Sequence, residues 1–290
     1  MPVANVCRLG TCPLEYGMVH YQPTLFGNVF YLSIFAALLI MHIIQLWRWS
    51  AWSFSCCMLT GLILEITGYL DRIKMHYDPF CFESILDVRL PVITTCYLIC
   101  VTIAPVFFTA SIHMTYSRII LHYAPHLSSF TPKAISITFM AADWIALILQ
   151  AAGGAIADTA ATEAGMKSGT DILVAGLSFQ VLGLIVFMIV VVDYTLKVSG
   201  ERTRRQAANW ATGLTVATVL ILIRSIFRVV ELAKGFQSKL ANEEVPFMIL
   251  EGAVMILATT IMTIFHPGLI IKGKWKESGW ELKGWKNERN

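Results

Sequence analysis

The stretch ILVAGLSFQVLGLIVFMIVVV, residues 172–192, contains no charged side chain. A helix of about 20 apolar residues crosses the ~30 Å hydrocarbon core of a bilayer, so this stretch predicts a transmembrane helix. Other apolar runs of similar length occur along the chain. The seven predicted spans are Phe26–Leu46, Trp52–Leu70, Leu90–Ser111, Ala134–Ile156, Ile172–Val192, Trp210–Val230 and Phe247–Phe265.

The composition agrees with a chain that lies almost wholly in the membrane. Hydrophobic residues make up 56% of the 290 residues and charged residues 14%, against about 25% charged in soluble domains. The runs lack the alternation of barrel strands, so we predict an all-α fold, a polytopic bundle of seven transmembrane helices. We expect one transmembrane domain over residues 1–271 and a short basic tail containing tryptophan over residues 272–290.

Lysines and arginines are distributed unevenly between the two sides of the predicted bundle. About twice as many fall on the side that holds the loop after helix five and the C-terminal tail. Because positive residues concentrate in cytoplasmic loops, we expect the N-terminus outside and the C-terminus in the cytoplasm, in the plasma membrane. The first helix would serve as the targeting signal. The net charge of +3 is scattered and gives no basic face for nucleic acid.

The cysteines and histidines predict no cofactor. Cys7, Cys12 and Cys81 fall on the predicted outer side, where one disulfide can form, and we favour Cys12 with Cys81. His122 and His126 form an HxxxH pattern, but no nearby Cys, Asp or Glu completes a metal site. We expect neither a metal nor a cofactor.

Polar residues inside the spans are the main functional signal, because a charge at membrane depth costs about 2.5 to 3.5 kcal/mol on insertion scales. Arg224, Arg228 and Glu231 stand at i, i+4 and i+7, which places them on one face of helix six. Glu65 and Arg72 are likewise two turns apart on helix two. The full set is Glu65, Arg72, Asp143, Gln150, Arg224, Arg228, Glu231 and Glu251.

The predicted orientation places this set in the outer half of the bilayer, with Asp143 nearer the middle. Arginines and glutamates would share one region there, where they can pair with each other and exchange partners when a ligand enters. We therefore predict a polar cavity that opens to the outer leaflet. The alternative is that these residues hold the helices together through buried salt bridges and bind nothing.

Several stretches of the sequence, in their order and spacing, resemble a known family. They are CPLEYG (Cys12–Gly17), EITGYLDR (Glu65–Arg72), Ala104–Pro105 followed by Ala110, DWIALILQAAGG (Asp143–Gly154), GLSFQ (Gly176–Gln180), RSIFRVVELAKG (Arg224–Gly235) and FHPG (Phe265–Gly268). Together they resemble the fungal RTA-like family, the lipid-translocating exporters named for resistance to aminocholesterol. The resemblance runs through nearly the whole chain.

This resemblance implies a seven-helix membrane protein that moves, or gives resistance to, amphiphilic lipids such as sphingoid bases and sterol-like toxins. It also adds Tyr69 and Gln180, which lie in the matching stretches, to the residues expected to bind substrate. The sequence departs from the family pattern at Cys96, His113 and Glu251, where glutamine, tyrosine and aspartate are common. We therefore expect a site that can accept a different head group.

Three classes of function are compatible with these residues. The first is a transporter or exporter of amphiphilic lipids without its own ATPase, because the sequence has no glycine-rich phosphate loop. The second is a seven-helix lipid receptor or sensor. The third is an intramembrane enzyme, either a cyclase using Asp143 or Glu251 as the acid, or a metal hydrolase, for which His42, His113 and His266 lack ligand spacing. We expect a non-enzymatic transporter whose partner is a membrane lipid or amphiphilic small molecule, and the sequence predicts no oligomeric state.

Glycines in helices four and five predict where two helix backbones approach closely. Glycine has no side chain, so it lets neighbouring helices come together in a bilayer. We expect Gly153, Gly154, Gly176 and Gly183 to lie at such interfaces.

Overall fold

The computed structural model describes residues 22–77, 96–123, 131–160, 162–198, 204–233 and 243–270. Within these ranges the chain is helical and contains no strand. Seven spans there are long and apolar enough to cross a membrane. The prediction of an all-α bundle with seven transmembrane helices is confirmed. Cys12, Cys81 and the tail lie outside the described residues.

The first six spans are single helices, and the seventh is composite. The single helices are α1 (Leu25–Trp49), α2 (Trp52–Tyr77), α3 (Cys96–Tyr123), α4 (Pro132–Thr159), α5 (Glu163–Val198) and α6 (Arg204–Ala233). The seventh span consists of α7 (Glu244–Phe247), a π-helical segment (Met248–Ala253) and α8 (Val254–Ile264). A short helix, α9 (Pro267–Ile270), follows it.

Helix α3 continues well beyond the apolar run that predicted it. That run was expected to end at Ser111, whereas the helix extends to Tyr123. Its second half carries His113 and Arg118, both of which are buried. In the 18-residue apolar stretch of α3, 78% is buried inside the protein, against 22% to 44% in the corresponding stretches of the other six spans. Because α3 is the central helix, its polar side chains face protein and not lipid.

Local sequence explains where some helices begin and end. The Thr131 side chain accepts a hydrogen bond from the amide of Ala134. Pro132 occupies the first turn of α4, where backbone N–H groups have no acceptor within the helix, so a proline there costs no hydrogen bond. Helix α1 ends at Trp49, and the φ of 51° at the next residue, Ser50, lies in the left-handed region. Helix α2 starts at Trp52, so this turn folds α1 and α2 into an antiparallel hairpin.

The helices form a closed bundle around α3. Consecutive spans pack side by side, α3 also contacts α6, and the seventh span packs against both α1 and α6. We call the end of the bundle where α1 begins the leading end, and the opposite end the trailing end. The starts of α3 and of the seventh span lie at the leading end, as do the ends of α2 and α6. Large apolar side chains such as Phe26, Trp47 and Leu196 cover the outside, as contact with lipid requires.

Two of the four predicted glycines, together with Gly169, bring the backbones of α4 and α5 together. A Cβ atom on Gly153 would lie 2.4 Å from the backbone nitrogen of Leu173, and one on Gly176 would lie 2.9 Å from a side chain of α4. The predicted close approach is confirmed at these two positions. At Gly154 the contact would be ordinary, 3.6 Å from the Leu173 side chain. For Gly183 the prediction is wrong, because nothing lies within 4 Å of its Cβ position.

Candidate functional site

Seven of the ten candidate residues are linked to one another by ion pairs or by electrostatic interactions. They are Glu65, Tyr69 and Arg72 on α2, Arg224, Arg228 and Glu231 on α6, and Glu251 in the π-helical segment. We call these residues the charged cluster. Each is buried, with at most 5% of its surface exposed. Removing a charge from water costs several kcal/mol unless partners replace the water, so the partners of these charges define what the cluster can bind.

Arg224 connects α6 with two other elements. Its guanidinium pairs with Glu251 of the seventh span and donates a further hydrogen bond to the backbone carbonyl of Val101 on α3. That carbonyl lacks its usual helical partner because residue 105, four positions later, is a proline without an N–H. Pro105 therefore creates the acceptor that positions Arg224.

Arg228 pairs within its own helix and also reaches α3. Its Nη1 lies 2.6 Å from Oε2 of Glu231, one turn further along α6. Its Nη2 donates a hydrogen bond of 3.2 Å to the hydroxyl of Thr102. Because Thr102 directly follows Val101, one short segment of α3 contacts both arginines. The polar stripe of α6 thus faces the interior of the bundle.

Arg72 contacts neutral groups of α1 and α7. Its Nε donates a hydrogen bond of 3.1 Å to Oδ1 of Asn28, and its guanidinium carbon lies 4.0 Å from the centre of the Phe247 ring, a cation–π contact. The Asn28 amide nitrogen donates to the carbonyl of Thr24 at 2.7 Å, which directs the amide oxygen toward Arg72. Sequence reasoning missed Asn28, Thr102 and Phe247, because a neutral side chain in a span carries no charge signal.

The seventh span changes its winding where it meets the cluster. Glu251 and Gly252 both lie in the π-helical segment and are both buried. A π-helical turn contains an additional residue and is frequent at functional sites of membrane and soluble proteins. Here it allows Glu251 to meet Arg224 while Gly252 lies against the ring of Tyr31 and the hydroxyl of Tyr69.

Several polar atoms of the cluster have no hydrogen-bond partner among the described residues. They include both carboxylate oxygens of Glu65, Oε2 of Glu251, the hydroxyl of Tyr69 and Nε of Arg224. Glu65 interacts electrostatically with Arg224, Arg228 and Glu251, and Tyr69 interacts with both glutamates, so these residues share one neighbourhood. The cluster therefore offers carboxylate oxygens and a phenol to the hydrogen-bond donors of a ligand, and the N–H of Arg224 to an acceptor.

The other three candidates form two separate polar contacts. Asp143 accepts a hydrogen bond of 3.0 Å from Thr109. Its Oδ2 also lies 3.1 Å from Nδ1 of His113, near enough for an ion pair but outside hydrogen-bond geometry. Gln150 donates a hydrogen bond of 2.8 Å to Gln180 across the interface of α4 and α5. The structure therefore distributes the ten candidates over three polar groups.

Metal-binding side chains do not cluster in the part of the chain that the structure describes. No group of three or more His, Cys, Asp or Glu side chains there could hold a metal ion. The cysteines at positions 56 and 57 are free thiols.

Comparison with known families gives the relatives of this chain. Residues 58–274 match the family described as RTA1 like protein, a range that contains all ten candidate residues. The chain belongs to the RTA1-like family. The resemblance predicted from short stretches of sequence is thereby confirmed, and the family match covers every element of the charged cluster. Helix α1, which supplies Asn28, lies before the matched range.

Several RTA1-like proteins of Saccharomyces cerevisiae are similar to this chain. The sphingoid long-chain base transporter RSB1 of strain ATCC 204508 / S288c is 28% identical over 297 residues, covering 89% of this chain and 74% of RSB1. Protein RTA1 is 29% identical over 213 residues, covering 71% of this chain and 63% of its own length. Protoporphyrin uptake protein 1 is 27% identical over 212 residues, covering 71% of this chain and 66% of its own length. No solved structure matches.

Proposed function

We propose that this RTA1-like protein is a membrane transporter of amphiphilic lipids that carry a cationic amine, such as sphingoid bases. Two similar proteins are named as a sphingoid long-chain base transporter and as a protoporphyrin uptake protein. Both names describe movement of a compound and not its chemical conversion. They support a non-enzymatic transporter, and the amine preference is argued from the charged cluster.

Glu65 is the observation that carries the amine preference. Its side chain is fully buried, and neither carboxylate oxygen has a hydrogen-bond partner among the described residues. The hydroxyl of Tyr69, one turn further along α2, is also buried and has no hydrogen-bond partner among the described residues. The same is true of Oε2 of Glu251. A sphingoid base presents an ammonium group and hydroxyl groups, whose donors complement these atoms.

The ion pairs of the cluster leave Glu65 as the carboxylate for the ligand. Arg224 pairs with Glu251, and Arg228 pairs with Glu231. Removing one partner of a buried ion pair costs about 3–5 kcal/mol. This is an upper bound on what Glu65, a buried carboxylate without a hydrogen-bond partner, gains from an arriving ammonium group. Binding of the amine would thus satisfy Glu65 without breaking either existing pair.

The direction of transport follows from the proposed orientation. We propose that the N-terminus lies outside and that the protein resides in the plasma membrane. The leading end, with the charged cluster, would then lie in the outer half of the bilayer. An amine head group bound there is close to the outer leaflet, which suits export driven by a gradient and not by ATP.

The substitution Glu65→Gln tests this function. Full-length protein is purified and reconstituted alone into vesicles, and transfer of labelled sphinganine across the membrane is measured. We expect Glu65→Gln to slow transfer about tenfold or more, because a hydrogen bond to a charged group contributes about 1.5–3 kcal/mol. Glu163→Gln, which changes an exposed glutamate at the start of α5, is the matched control and should transport normally.

The same vesicles distinguish the alternative functions. A receptor would show no transfer when reconstituted alone, and an enzyme would return a lipid of altered mass. Normal transfer by Glu65→Gln, at a normal amount of protein in the vesicles, would show that the head group binds elsewhere. Absence of transfer by the native chain would reject the transporter function itself.

A further inference from the structure

A second group of buried and half-buried polar side chains lies toward the trailing end, away from the charged cluster. It consists of His42 and Gln45 on α1 and of Thr263 and His266 at the end of the seventh span. Both histidines are fully buried, and Thr263 is 4% exposed. Helix α1 and the seventh span lie side by side and run in the same direction, which brings these distant residues together.

The hydrogen bonds of Thr263 fix the tautomer of neutral His42. The Thr263 hydroxyl donates its hydrogen to the carbonyl of Thr259 at 2.8 Å. Its contact of 3.0 Å with Nε2 of His42 therefore requires the imidazole to be the donor. The His42 hydrogen is on Nε2, and Nδ1 carries a lone pair. This Nδ1 is buried and has no hydrogen-bond partner among the described residues.

The opposite tautomer follows for neutral His266. The backbone N–H of Gly268 donates to Nδ1 of His266 at 3.0 Å. That nitrogen is therefore the acceptor, and the imidazole hydrogen is on Nε2. The Nε2–H is buried and has no hydrogen-bond partner in the described part of the chain. One imidazole thus has a free acceptor and the other a free donor.

Pro267 explains why Gln45 belongs to this group. A proline at position 267 cannot donate to the carbonyl of Thr263, four residues earlier. The Gln45 side-chain nitrogen, on α1, donates to that carbonyl at 3.1 Å instead. Its Oε1 is then a further buried acceptor without a partner among the described residues.

Aromatic rings enclose the two imidazoles. The ring centres of His42 and His266 are 6.2 Å apart. The Phe54 ring of α2 lies 6.0 Å from His42 and 4.9 Å from His266, and the Trp49 ring lies 5.1 Å from His266. In such apolar surroundings a polar atom without a partner is destabilising. A ligand that supplies the missing partner is therefore favoured.

We propose that His42 and His266 form a binding site for one hydroxyl group, which accepts a hydrogen bond from Nε2 of His266 and donates one to Nδ1 of His42. A hydroxyl group both donates and accepts, whereas an ammonium group has no acceptor and a carboxylate has no donor. The hydroxyl belongs either to a water molecule or to the alcohol of an amphiphile. An amphiphile as the source of the hydroxyl rests on the proposed transport function. In that case α1, α2 and the seventh span carry one binding site near each end of the bundle.

Two substitutions each remove the ring nitrogen that has no partner and keep the hydrogen bond that the other ring nitrogen makes. In His266→Asn the side-chain oxygen can still accept from Gly268, but Nε2–H is lost. In His42→Gln the amide can still donate to Thr263, but Nδ1 is lost. Binding of radiolabelled octadecan-1-ol and of octadecylamine to the purified full-length chain is measured for both variants. We expect about tenfold weaker binding of the alcohol and unchanged binding of the amine, which has no hydroxyl.

The variants are made in the native chain and in Glu65→Gln, so that the result does not depend on the carboxylate site. A site that holds water gives a different pattern: alcohol binding is unchanged, while ¹⁵N-histidine NMR of the native chain shows magnetisation transfer from water to the two imidazoles. Unchanged alcohol binding without such transfer would overturn the proposal. Equal weakening of alcohol and amine, again without such transfer, would overturn it too, since the effect would not depend on the hydroxyl.

Discussion

The hydroxyl of Tyr69 occupies the space that a side chain at position 252 would need. A Cβ atom on Gly252 would lie 2.7 Å from the Tyr69 oxygen and 2.5 Å from the ring of Tyr31. Real Cβ atoms do not approach other atoms so closely. The glycine therefore lets α2 bring Tyr69 against the π-helical segment, next to Glu251.

Substitution of Gly252 is expected to disturb the charged cluster. Gly252→Ala must displace both Tyr69 and Tyr31, and overpacking of this kind costs about 1–3 kcal/mol. We predict a lower Tm of the purified protein and slower sphinganine transport. Gly183→Ala is the control, because its added methyl group meets open space. Equal Tm values for the two variants would show that the tyrosines move without cost.

A charge exchange on α6 separates ligand binding from helix packing. The double variant Arg228→Glu with Glu231→Arg keeps an ion pair one turn apart but removes the guanidinium from Thr102. We predict that it reaches the membrane yet fails to protect cells against a toxic long-chain base, because the exchange places a carboxylate at position 228, next to Glu65, and so changes the charge around the head group. Fractionation gives the amount of membrane protein, and growth gives the function. Full restoration of growth would leave Arg228 and Glu231 as a structural ion pair.

Replacing Pro105 tests the role of the free carbonyl on α3. Pro105→Ala restores an N–H that can bond to Val101 in the usual helical manner, so Arg224 must share its acceptor. We predict a Tm that is unchanged or higher, because alanine favours a helix interior over proline by about 3 kcal/mol, together with slower transport. Pro132→Ala, in the first turn of α4, should leave transport normal. Normal transport by Pro105→Ala would mean that Arg224 does not need Val101.

Adjacent glycines on α4 should respond differently to the same change. Gly153→Ala places a methyl group 2.4 Å from the backbone of Leu173, whereas at Gly154 the nearest atom is 3.6 Å away. We predict a lower folded yield and Tm for Gly153→Ala, and nearly native values for Gly154→Ala. The comparison is made by size-exclusion chromatography and thermal unfolding in detergent. The reverse order of stability would contradict the described packing of α4 against α5.

The uneven distribution of lysine and arginine leads to a topology prediction. We predict that a tag at the N-terminus is accessible to antibody in intact cells, and that a tag at the C-terminus becomes accessible after permeabilisation. Reversed accessibility would place the charged cluster in the inner half of the bilayer. The head group would then bind on the cytoplasmic side.

Hydropathy and helical periodicity predicted the fold and one face of the site. Runs of apolar residues were sufficient to predict seven helices. The spacing of Arg224, Arg228 and Glu231 was sufficient to place these three residues on the inner face of α6. The extent of α3 could not be predicted in this way, because its second half is polar yet buried by other helices. Burial by protein leaves no trace in local hydropathy.

The partners of the candidate residues were beyond sequence reasoning for a different reason. The pairing of Arg224 with Glu251 depends on the relative height of two helices, which spacing along one helix does not give. His42 and His266 were set aside because no metal spacing connects them, and they meet through the packing of α1 beside the seventh span. The free carbonyl of Val101 was in principle predictable, since a proline in a helix always leaves the carbonyl four residues earlier without its N–H.

The contact of Arg224 with Val101 has a thermodynamic consequence. The hydrogen-bond ladder of α3 is completed by a side chain from α6, and that side chain also holds Glu251. A ligand that draws Arg224 away from Val101 therefore leaves a backbone carbonyl of the central helix without its hydrogen-bond donor, beside the proline. By linkage, a change in α3 that weakens this hydrogen bond and the binding of such a ligand favour each other by the same factor.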